Sequence, residues 1–217
     1  MVAIALALPT MAYAKPIEDT QLWSTVSVNG PIVGDLVFHV EGQSRIVDGV
    51  GRYGQTQVRI AAGVKVDPNL IIYLGYVHQD TKRAGARDGI EDRIYQQVSW
   101  KLGKMLGGSL ATRVRLEQRF IRGATGTAVR YRQQMRYQKP FKKDGPALIV
   151  AGEIFFNLNT VTGGPRGGFD QLRGLVGVSF PLSKAVAIEA GYQPVYVNGT
   201  TRDRINHTFP LVLAIKL

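Results

Sequence analysis

Arginine at alternate positions is the chemical feature that stands out in this sequence. Arg113, Arg115 and Arg119 fall on one face of a strand-like run at 109–122, and Glu117 lies among them. The next run repeats the spacing in Arg130, Arg132 and Arg136. A guanidinium group is planar, permanently charged and able to bind carboxylates or phosphates through paired hydrogen bonds. Such a row can therefore bind small anions or pair internally with glutamates.

The elements that must position these arginines are strands. In the run at 109–122, apolar residues such as Leu110 and Val114 oppose the arginines, and the same period of two recurs along the chain. Clusters of Gly, Pro, Asn and Asp separate the runs, which is typical of strand connections. The pattern predicts eleven strands, at 20–28, 35–46, 54–66, 69–80, 90–102, 108–122, 127–139, 147–158, 169–180, 185–197 and 205–217.

Two β architectures produce this alternation. A soluble sandwich buries its apolar face, whereas a transmembrane barrel turns that face outward and keeps a polar lumen. Strands of ten or more residues favour the barrel, because about 9–11 tilted residues span a bilayer. Short turns, as at 67–69 and 181–184, also alternate with longer loops, as at 81–89 and 160–168. We therefore predict an all-β fold, a transmembrane antiparallel up-and-down β-barrel of ten to twelve strands.

The predicted strand count is odd, whereas bacterial single-chain barrels usually have an even number of strands. Either one strand is missed, or the segment 20–28 does not close the barrel as an ordinary strand. Aromatic residues lie mainly near the strand ends, which predicts an interfacial girdle. Its predicted members are Trp23, Tyr53, Trp100, Tyr137, Phe155, Phe156, Phe169, Tyr192, Tyr196 and Phe209.

The first fourteen residues are predicted to be a signal peptide. An apolar run at 2–8 is followed by Pro9 and by Ala12-Tyr13-Ala14, a small-x-small cleavage site. Cleavage after Ala14 leaves the barrel domain as residues 15–217. A barrel with such a leader is expected in the outer membrane of a Gram-negative bacterium, in contact with the lipid bilayer.

Several of these motifs resemble the outer-membrane barrel family catalogued as domain of unknown function (DUF) family 2490. The most specific is the run Arg-x-Arg-Leu-Glu-x-Arg-Phe at 113–120, and Glu91-Asp92-Arg93 stands where the family usually has Glu-Asn-Arg. The resemblance implies an outer-membrane barrel and brings no activity with it. The other matching pieces are Gln21-Leu22-Trp23, Glu41-x-Gln43-x-Arg45, Leu74-Gly75-Tyr76, Arg130-Tyr131-Arg132, Glu153-x-Phe155-Phe156-Asn157, Phe169-Asp170-Gln171-x-Arg173 and Gly191-Tyr192.

The net charge of +11, with 27 Lys and Arg against 16 Asp and Glu, first suggests nucleic-acid binding. Alternation assigns most of that charge to the inside of the barrel, and the leader takes the chain away from nucleic acid, so no nucleic-acid partner is predicted. Lumen positions are predicted for Glu41, Arg45, Arg59, Glu91, Arg93, Arg113, Arg115, Glu117, Arg119, Arg130, Arg132, Arg136, Glu153 and Arg173, with Lys65, Lys101 and Glu189 on the same faces.

Two interpretations of this lumen stay open. Interlocked Arg–Glu pairs would make a purely structural closed barrel. The excess of arginine would instead make a narrow, porin-like channel that prefers anions, as rings of Arg and Lys do in anion pores. In either case an unpaired buried arginine is costly, so water, lipid phosphate or a bound anion should compensate the excess. Small anionic solutes are the ligands that the channel interpretation predicts.

Enzymatic chemistry finds little support in the sequence. The chain has no cysteine, which removes disulfides, thiolate zinc sites and cysteine nucleophiles. The histidines, His39, His78 and His207, stand in no recognisable spacing with a serine, and the Gly-rich loop at 163–168 precedes no helix that could bind phosphate. We predict no catalytic residues, no cofactor and no metal. A membrane-embedded lipid-modifying enzyme that uses His207 remains the alternative.

Basic side chains in the longer predicted loops form a separate group. They include Lys82, Arg83, Arg87, Arg166, Arg202 and Arg204. If these loops face outward from the cell, their cations can meet the phosphates of lipopolysaccharide. Simple solvation is the alternative for these residues.

Overall fold

Alternating apolar and polar side chains form eleven long strands, which close into one barrel. The computed structural model describes residues 15–217, so the predicted signal segment at 1–14 lies outside the described residues. The all-β fold and the closed barrel are confirmed. The strands are β1 Ile17–Val33, β2 Leu36–Val47, β3 Arg52–Asp67, β4 Leu70–Thr81, β5 Gly89–Met105, β6 Gly108–Ile121, β7 Ala128–Pro140, β8 Ala147–Asn157, β9 Gly168–Pro181, β10 Val186–Val197 and β11 Arg204–Lys216.

The odd strand number determines how the barrel closes. Each strand pairs antiparallel with the next one along the chain, so β1 and β11 run in the same direction. These two strands pair in parallel, with Ile17 opposite Arg204 and Asn29 opposite Lys216. The predicted antiparallel pairing therefore holds at every contact except this seam. The segment 20–28, whose role was in question, belongs to β1 and forms one side of the seam.

The connections separate into two ends of the barrel. One end, here called the loop end, carries the segments 48–51, 82–88, 122–127, 158–167 and 198–203. The opposite end, here called the turn end, carries 34–35, 68–69, 106–107, 141–146 and 182–185. The predicted contrast in length is present, because four of the loop-end segments are six residues or longer, whereas only one of those at the turn end is.

Strand alternation makes the outside of this barrel apolar and its inside charged. Leu74 and Val176 are 61% and 58% exposed on the outer surface. Arg115 and Glu117, on the inner face of β6, are only 2% and 0% exposed. This distribution is the reverse of the one that a soluble protein adopts. Residues 15–217 contain no helix with the length and hydropathy needed to cross a bilayer.

The girdle prediction is wrong for two aromatic residues, Trp23 and Phe155. Both are buried, because they share a face with interior polar residues, Trp23 with Gln21 on β1 and Phe155 with Glu153 on β8. Position in the strand alternation therefore outweighs proximity to a strand end. Several other predicted girdle residues have large exposed areas, among them Tyr53, Trp100, Phe156, Tyr192 and Phe209.

Candidate functional site

The densest charge cluster in the interior is centred on Glu117. Register places Glu117 on β6 directly opposite Arg130 on β7, and Arg115 opposite Arg132. One carboxylate oxygen of Glu117 accepts from Arg130 Nε and Nη2 at 2.9 and 2.7 Å. The other accepts from Arg132 Nη1 at 2.7 Å and lies 3.5 Å from Arg115 Nη1. A single fully buried carboxylate thus contacts three guanidinium groups.

Arg132 extends this cluster to a second glutamate. Its Nε and Nη2 donate to Glu153 Oε1 at 3.1 and 2.8 Å, and the same oxygen accepts from Arg113 Nη2 at 2.9 Å. The ring of Phe155 lies against the guanidinium of Arg132, 4.4 Å from its carbon. The predicted interlocking of arginines and glutamates is therefore present on the wall formed by β6, β7 and β8.

Four further ion pairs, on three carboxylates, continue the network around the barrel. Glu91 accepts from Arg119 through both oxygens, at 2.5 and 3.1 Å, and from Arg93 Nε at 2.6 Å. Arg59 Nη1 donates to Glu41 Oε1 at 2.6 Å. Nearer the turn end, Arg136 Nη2 lies 2.6 Å from Glu189 Oε1.

A β-bulge supplies one carboxylate that alternation alone would place outside. Between β8 and β9, Phe155 pairs with Gln171 and Phe156 pairs with Phe169, so Asp170 is an extra residue in β9. Its Oδ2 lies 3.1 Å from Arg130 Nη1. A strict period of two gives no signal for this contact, because the bulge shifts the phase of the strand.

Two predicted lumen arginines, Arg45 and Arg173, have no carboxylate within ion-pair distance in residues 15–217, although register sets Arg173 opposite Glu153. Both lie against the indole of Trp23, with their guanidinium carbons 3.7 and 5.3 Å from the ring centroid. Arg45 donates instead to the amide oxygens of Gln43 and Gln55, and Arg173 to that of Gln171. Amide oxygens orient these guanidiniums without balancing their positive charge.

Several buried polar atoms of the described interior have no protein hydrogen-bond partner. Most of them are donors, so the interior has more donors than acceptors and would favour a ligand rich in acceptor oxygens. The donors are Gln55 Nε2, Arg59 Nε, Arg113 Nε, Arg115 Nη1 and Arg173 Nε. The interior acceptor without a partner is Asn206 Oδ1; Asp80 Oδ1, which also has none, lies on the face of β4 that carries the exposed Tyr76.

Four cavities follow one another along the interior of the described barrel. The loop-end cavity holds about 540 Å³ and the central cavity about 310 Å³. The third holds about 300 Å³ and the turn-end cavity about 540 Å³. Neighbouring cavities share lining residues, so the interior is a chain of chambers separated by narrow points.

The side chains shared between chambers mark those narrow points. Between the loop-end and central cavities they are Trp23, Arg45, Gln55, Gln171 and Arg173. Between the central and third cavities they are Glu41, Arg113 and Gln134. Between the third and turn-end cavities they are Asn29, Ile71 and Tyr73.

The fourteen predicted lumen residues lie on the interior faces of their strands. They divide into residues of the ion-pair network and arginines outside it. Glu41, Glu91, Glu117 and Glu153 carry the ion pairs, whereas Arg45 and Arg173 stand apart. The interior residues that sequence reasoning missed are Trp23, Phe155 and Asp170.

The two mouths differ in their basic residues. Arginine occurs in the interior and at the loop end, whereas the basic residues of the turn end are lysines. At the loop end, Lys82 Nζ lies 2.8 Å from Asp88 and 3.0 Å from Asp80. Its hydrogen bond lowers the pKa of the exposed Asp88 carboxyl. The turn-end lysines are Lys65, Lys101, Lys104, Lys139, Lys142, Lys143, Lys184 and Lys216.

Each of the three histidines has a hydrogen-bond partner of its own. His39 Nδ1 is 2.6 Å from Asn29, His78 Nδ1 is 2.8 Å from Asp92, and His207 Nδ1 is 2.7 Å from the Tyr192 hydroxyl. Within residues 15–217 none of them bonds to a serine or threonine hydroxyl. That part of the chain also contains no cluster of three or more residues suited to holding a metal ion.

Comparison with known proteins gives a family and a relative. The family model described as "Protein of unknown function (DUF2490)" matches residues 20–206. An uncharacterised protein of Methylorubrum extorquens is 33% identical over 220 residues, which cover 97% of this chain and 93% of the relative. No solved structure matches the chain. The matched region contains most of the barrel, including the Glu117 cluster.

Proposed function

This chain belongs to the DUF2490 family, and we propose that it is a bacterial outer-membrane β-barrel whose arginine-rich interior is a narrow, anion-preferring passage. The observation that carries the proposal is the series of four cavities, which runs from one mouth of the barrel to the other. It passes the ion pairs on β6, β7 and β8, here called the arginine wall. The proposal has three parts: a membrane position, a path through the barrel and a preference for anions.

The outer surface supports the membrane position. Large apolar side chains cover it, and soluble proteins rarely expose a contiguous apolar area of this kind. Every strand has at least eleven residues, enough to span a bilayer when tilted. Charged side chains on this surface would cost about 2–4 kcal/mol each at the bilayer midplane, which explains why the arginines point inward. Exposed apolar residues of the outer face include Val58, Ile60, Val64, Ile72, Leu74, Leu172, Val176 and Leu211.

The path lies beside the arginine wall and does not pass through it. Arg115, Glu117 and Arg132 are packed against one side of the barrel and are almost inaccessible. On the other side, β1 and β11 carry short or uncharged interior residues, such as Ser27 and Val212, which line the central cavity. The ion pairs therefore fix one wall, while the space opposite them is left for solute.

Charge explains the preference for anions. The fourteen predicted lumen residues comprise ten arginines and four glutamates, and Asp170 and Glu189 add two further carboxylates. Electrostatic attraction is stronger in a confined, low-dielectric lumen than in bulk water. The basic residues at both mouths would also raise the local concentration of anions. At the loop end, cations such as Arg83 and Arg166 would meet lipopolysaccharide phosphates if that end faces outward from the cell.

A purely structural barrel is the second candidate, because each interior carboxylate of the charge network is already paired with arginine. Under that alternative the cavities hold water and pass nothing. Purified protein in planar bilayers separates the two functions. Stepwise conductance supports the passage, whereas no conductance from folded, heat-modifiable protein that fractionates with outer membranes supports the closed barrel.

A lipid-modifying enzyme is the third candidate, and one contact favours it. On the outer face near the loop end, the ring of His207 lies between the Tyr192 hydroxyl, at 2.7 Å, and the Glu18 carboxylate, at 3.8 Å. Release of fatty acid from phospholipid vesicles, abolished by His207→Ala, would establish this activity. Equal release by the parent protein and the variant would remove it.

A further inference from the structure

We propose that the loop-end cavity contains a binding site for phosphate, built from Arg45 and Arg173 beside Trp23 and completed by Gln55 and Asn206. The inference deepens the proposed passage, since it names the ligand of the loop-end cavity through which the passage opens. It does not require conduction, because a closed barrel could bind phosphate at the same place.

Arg45 and Arg173 are the two cations of this cavity that lie beside Trp23. Neither has a carboxylate within ion-pair distance in the described chain, whereas the arginines of the Glu117 cluster do. Contact with the Trp23 ring occupies a face of each guanidinium and leaves its N–H groups at the edge available. Two such edges beside one cavity suit a tetrahedral oxyanion with several acceptor oxygens.

The carboxylates of the same cavity are already satisfied. Asp19 accepts from the side chain of Gln21 at 2.7 Å and from the backbone N–H of Gly49 at 3.0 Å. Asp48 Oδ2 lies 2.5 Å from Arg52 Nε. These contacts leave Arg45 and Arg173, which are less exposed than Arg83 and Arg204 of the same cavity, without a carboxylate within ion-pair distance.

The Trp23 indole is held in place for this role. Its Nε1 donates to Gln21 Oε1 at 2.8 Å, and Gln21 in turn donates to Asp19. Register sets Trp23 on β1 directly opposite Arg45 on β2. The aromatic platform therefore has a fixed orientation before any ligand enters.

Unpaired buried atoms identify phosphate among the oxyanions. Gln55 Nε2 and Arg173 Nε are buried donors without a partner, and Asn206 Oδ1 is a buried acceptor without one; all three residues line this cavity. A ligand that satisfies both kinds of atom must carry acceptor oxygens and at least one hydrogen that it can donate. Near neutral pH phosphate retains a proton, whereas sulfate has none.

The cavity lies in the interior that the strands enclose, so the phosphate would come from a soluble molecule. A lipid headgroup held in the outer leaflet would instead contact the outer face. The loop-end cavity of about 540 Å³ is large enough for inorganic phosphate or a small organic phosphate.

Tryptophan fluorescence can test the site directly, because Trp23 and Trp100 are the only two tryptophans of the sequence. The variant Trp100→Phe leaves Trp23 as the single reporter. It would be titrated with inorganic phosphate at pH 7 and constant ionic strength, in micelles whose headgroups carry no phosphate. We expect a saturable change for phosphate and a response at least about tenfold weaker for sulfate, which cannot donate to Asn206. Equal responses to both, or none to phosphate, would overturn the proposal.

Variants on the Trp100→Phe background locate the site. Arg45→Gln and Arg173→Gln should each weaken phosphate binding roughly tenfold or more. Asn206→Val should weaken phosphate binding and leave the response to sulfate unchanged. Lys184→Gln, which removes one positive charge from a turn at the other end, is the matched control and should bind like the parent. Loss of binding in that control alone, or in none of the variants, would contradict the assignment.

Two further experiments complete the test. The first distinguishes a soluble phosphate from a lipid phosphate, and the second distinguishes the binding site from the passage. Soluble glycerol phosphate should compete with inorganic phosphate, and phosphatidic acid in the micelle should not. Competition by the lipid alone would refute a soluble ligand. Phosphate binding without conductance would reject the passage and keep the site, whereas conductance without phosphate binding would reject the site and keep the passage.

Discussion

Arg130 and Glu117 face each other directly across β6 and β7, and two N–H groups of Arg130 converge on one oxygen of Glu117 at 2.7 and 2.9 Å. The other oxygen serves Arg132 and lies near Arg115. Three guanidinium groups meet at this one fully buried carboxylate, and only Arg130 and Arg132 have a second carboxylate, Asp170 and Glu153 respectively, so Glu117 contributes most to the stability of this wall.

Neutralising that carboxylate should destabilise the barrel strongly. Glu117→Gln leaves Arg115, Arg130 and Arg132 with too little compensating charge, and breaking a buried ion pair of this kind typically costs about 3–5 kcal/mol. The free energy of unfolding, measured by urea titration in detergent micelles, should fall by that order. Because Glu117 contacts three arginines, we expect this loss of stability to exceed that of any other single Glu→Gln change in the interior.

The matched control is Glu189→Gln, which removes one carboxylate from the more accessible pair with Arg136. Partly exposed ion pairs contribute little, so the expected loss is about 1 kcal/mol or less. If the two variants lose the same stability, the Glu117 cluster does not have the structural role assigned to it.

The parallel seam predicts a specific cross-link. Ser24 on β1 pairs with Leu211 on β11, and the chain has no native cysteine to interfere. The double variant Ser24→Cys/Leu211→Cys should oxidise to a disulfide, because directly paired strand residues lie within bonding reach. Faster migration on a denaturing gel without reductant would report the link. A pair four residues out of register, Val28→Cys/Leu211→Cys, should stay reduced, and the opposite pattern would contradict the seam.

The sequence is sufficient to predict which face of most strands is charged. The alternation of apolar and charged residues can be recognised within one strand, without knowing which strands pair with it. It therefore places Arg115 and Glu117 inside correctly. Which arginine meets which glutamate depends on cross-strand register, and the approach of Arg132 to Glu153 has no local signal. Asp170 is misplaced by simple alternation, because a bulge in β9 shifts the phase. Trp23 is misassigned because its place near a strand end suggested a girdle, whereas its alternation with Gln21 turns it inward.

Arg113 should influence the ion preference of the passage. Its side chain is 26% exposed and lines both the central and third cavities. Arg113→Gln removes a positive charge from this narrow point, so the ratio of chloride to potassium permeability should fall severalfold. Arg122→Gln, at an exposed loop position, is the control and should leave the ratio near that of the parent. A larger shift in the control would exclude the narrow point as the selectivity region.

The Lys82–Asp88 ion pair should hold the loop at 82–88 near neutral pH and release it in acid. The hydrogen bond from Lys82 lowers the pKa of Asp88, so its stabilising effect is present above the ordinary carboxyl range and is lost as pH falls through the lowered value. Amide exchange in the loop, corrected for intrinsic rates, should therefore be more protected at pH 5 than at pH 2. Asp88→Asn should lack this difference, and equal protection of the parent at both values would refute the contact.

The measurement that tests the central claim most directly is the reversal potential of the purified barrel in a planar bilayer under a KCl gradient. An arginine-rich passage predicts stepwise currents whose reversal potential has the sign of the chloride equilibrium potential. A reversal potential with the sign of the potassium equilibrium potential would contradict an anion-preferring interior. No current from correctly folded protein would contradict the passage itself.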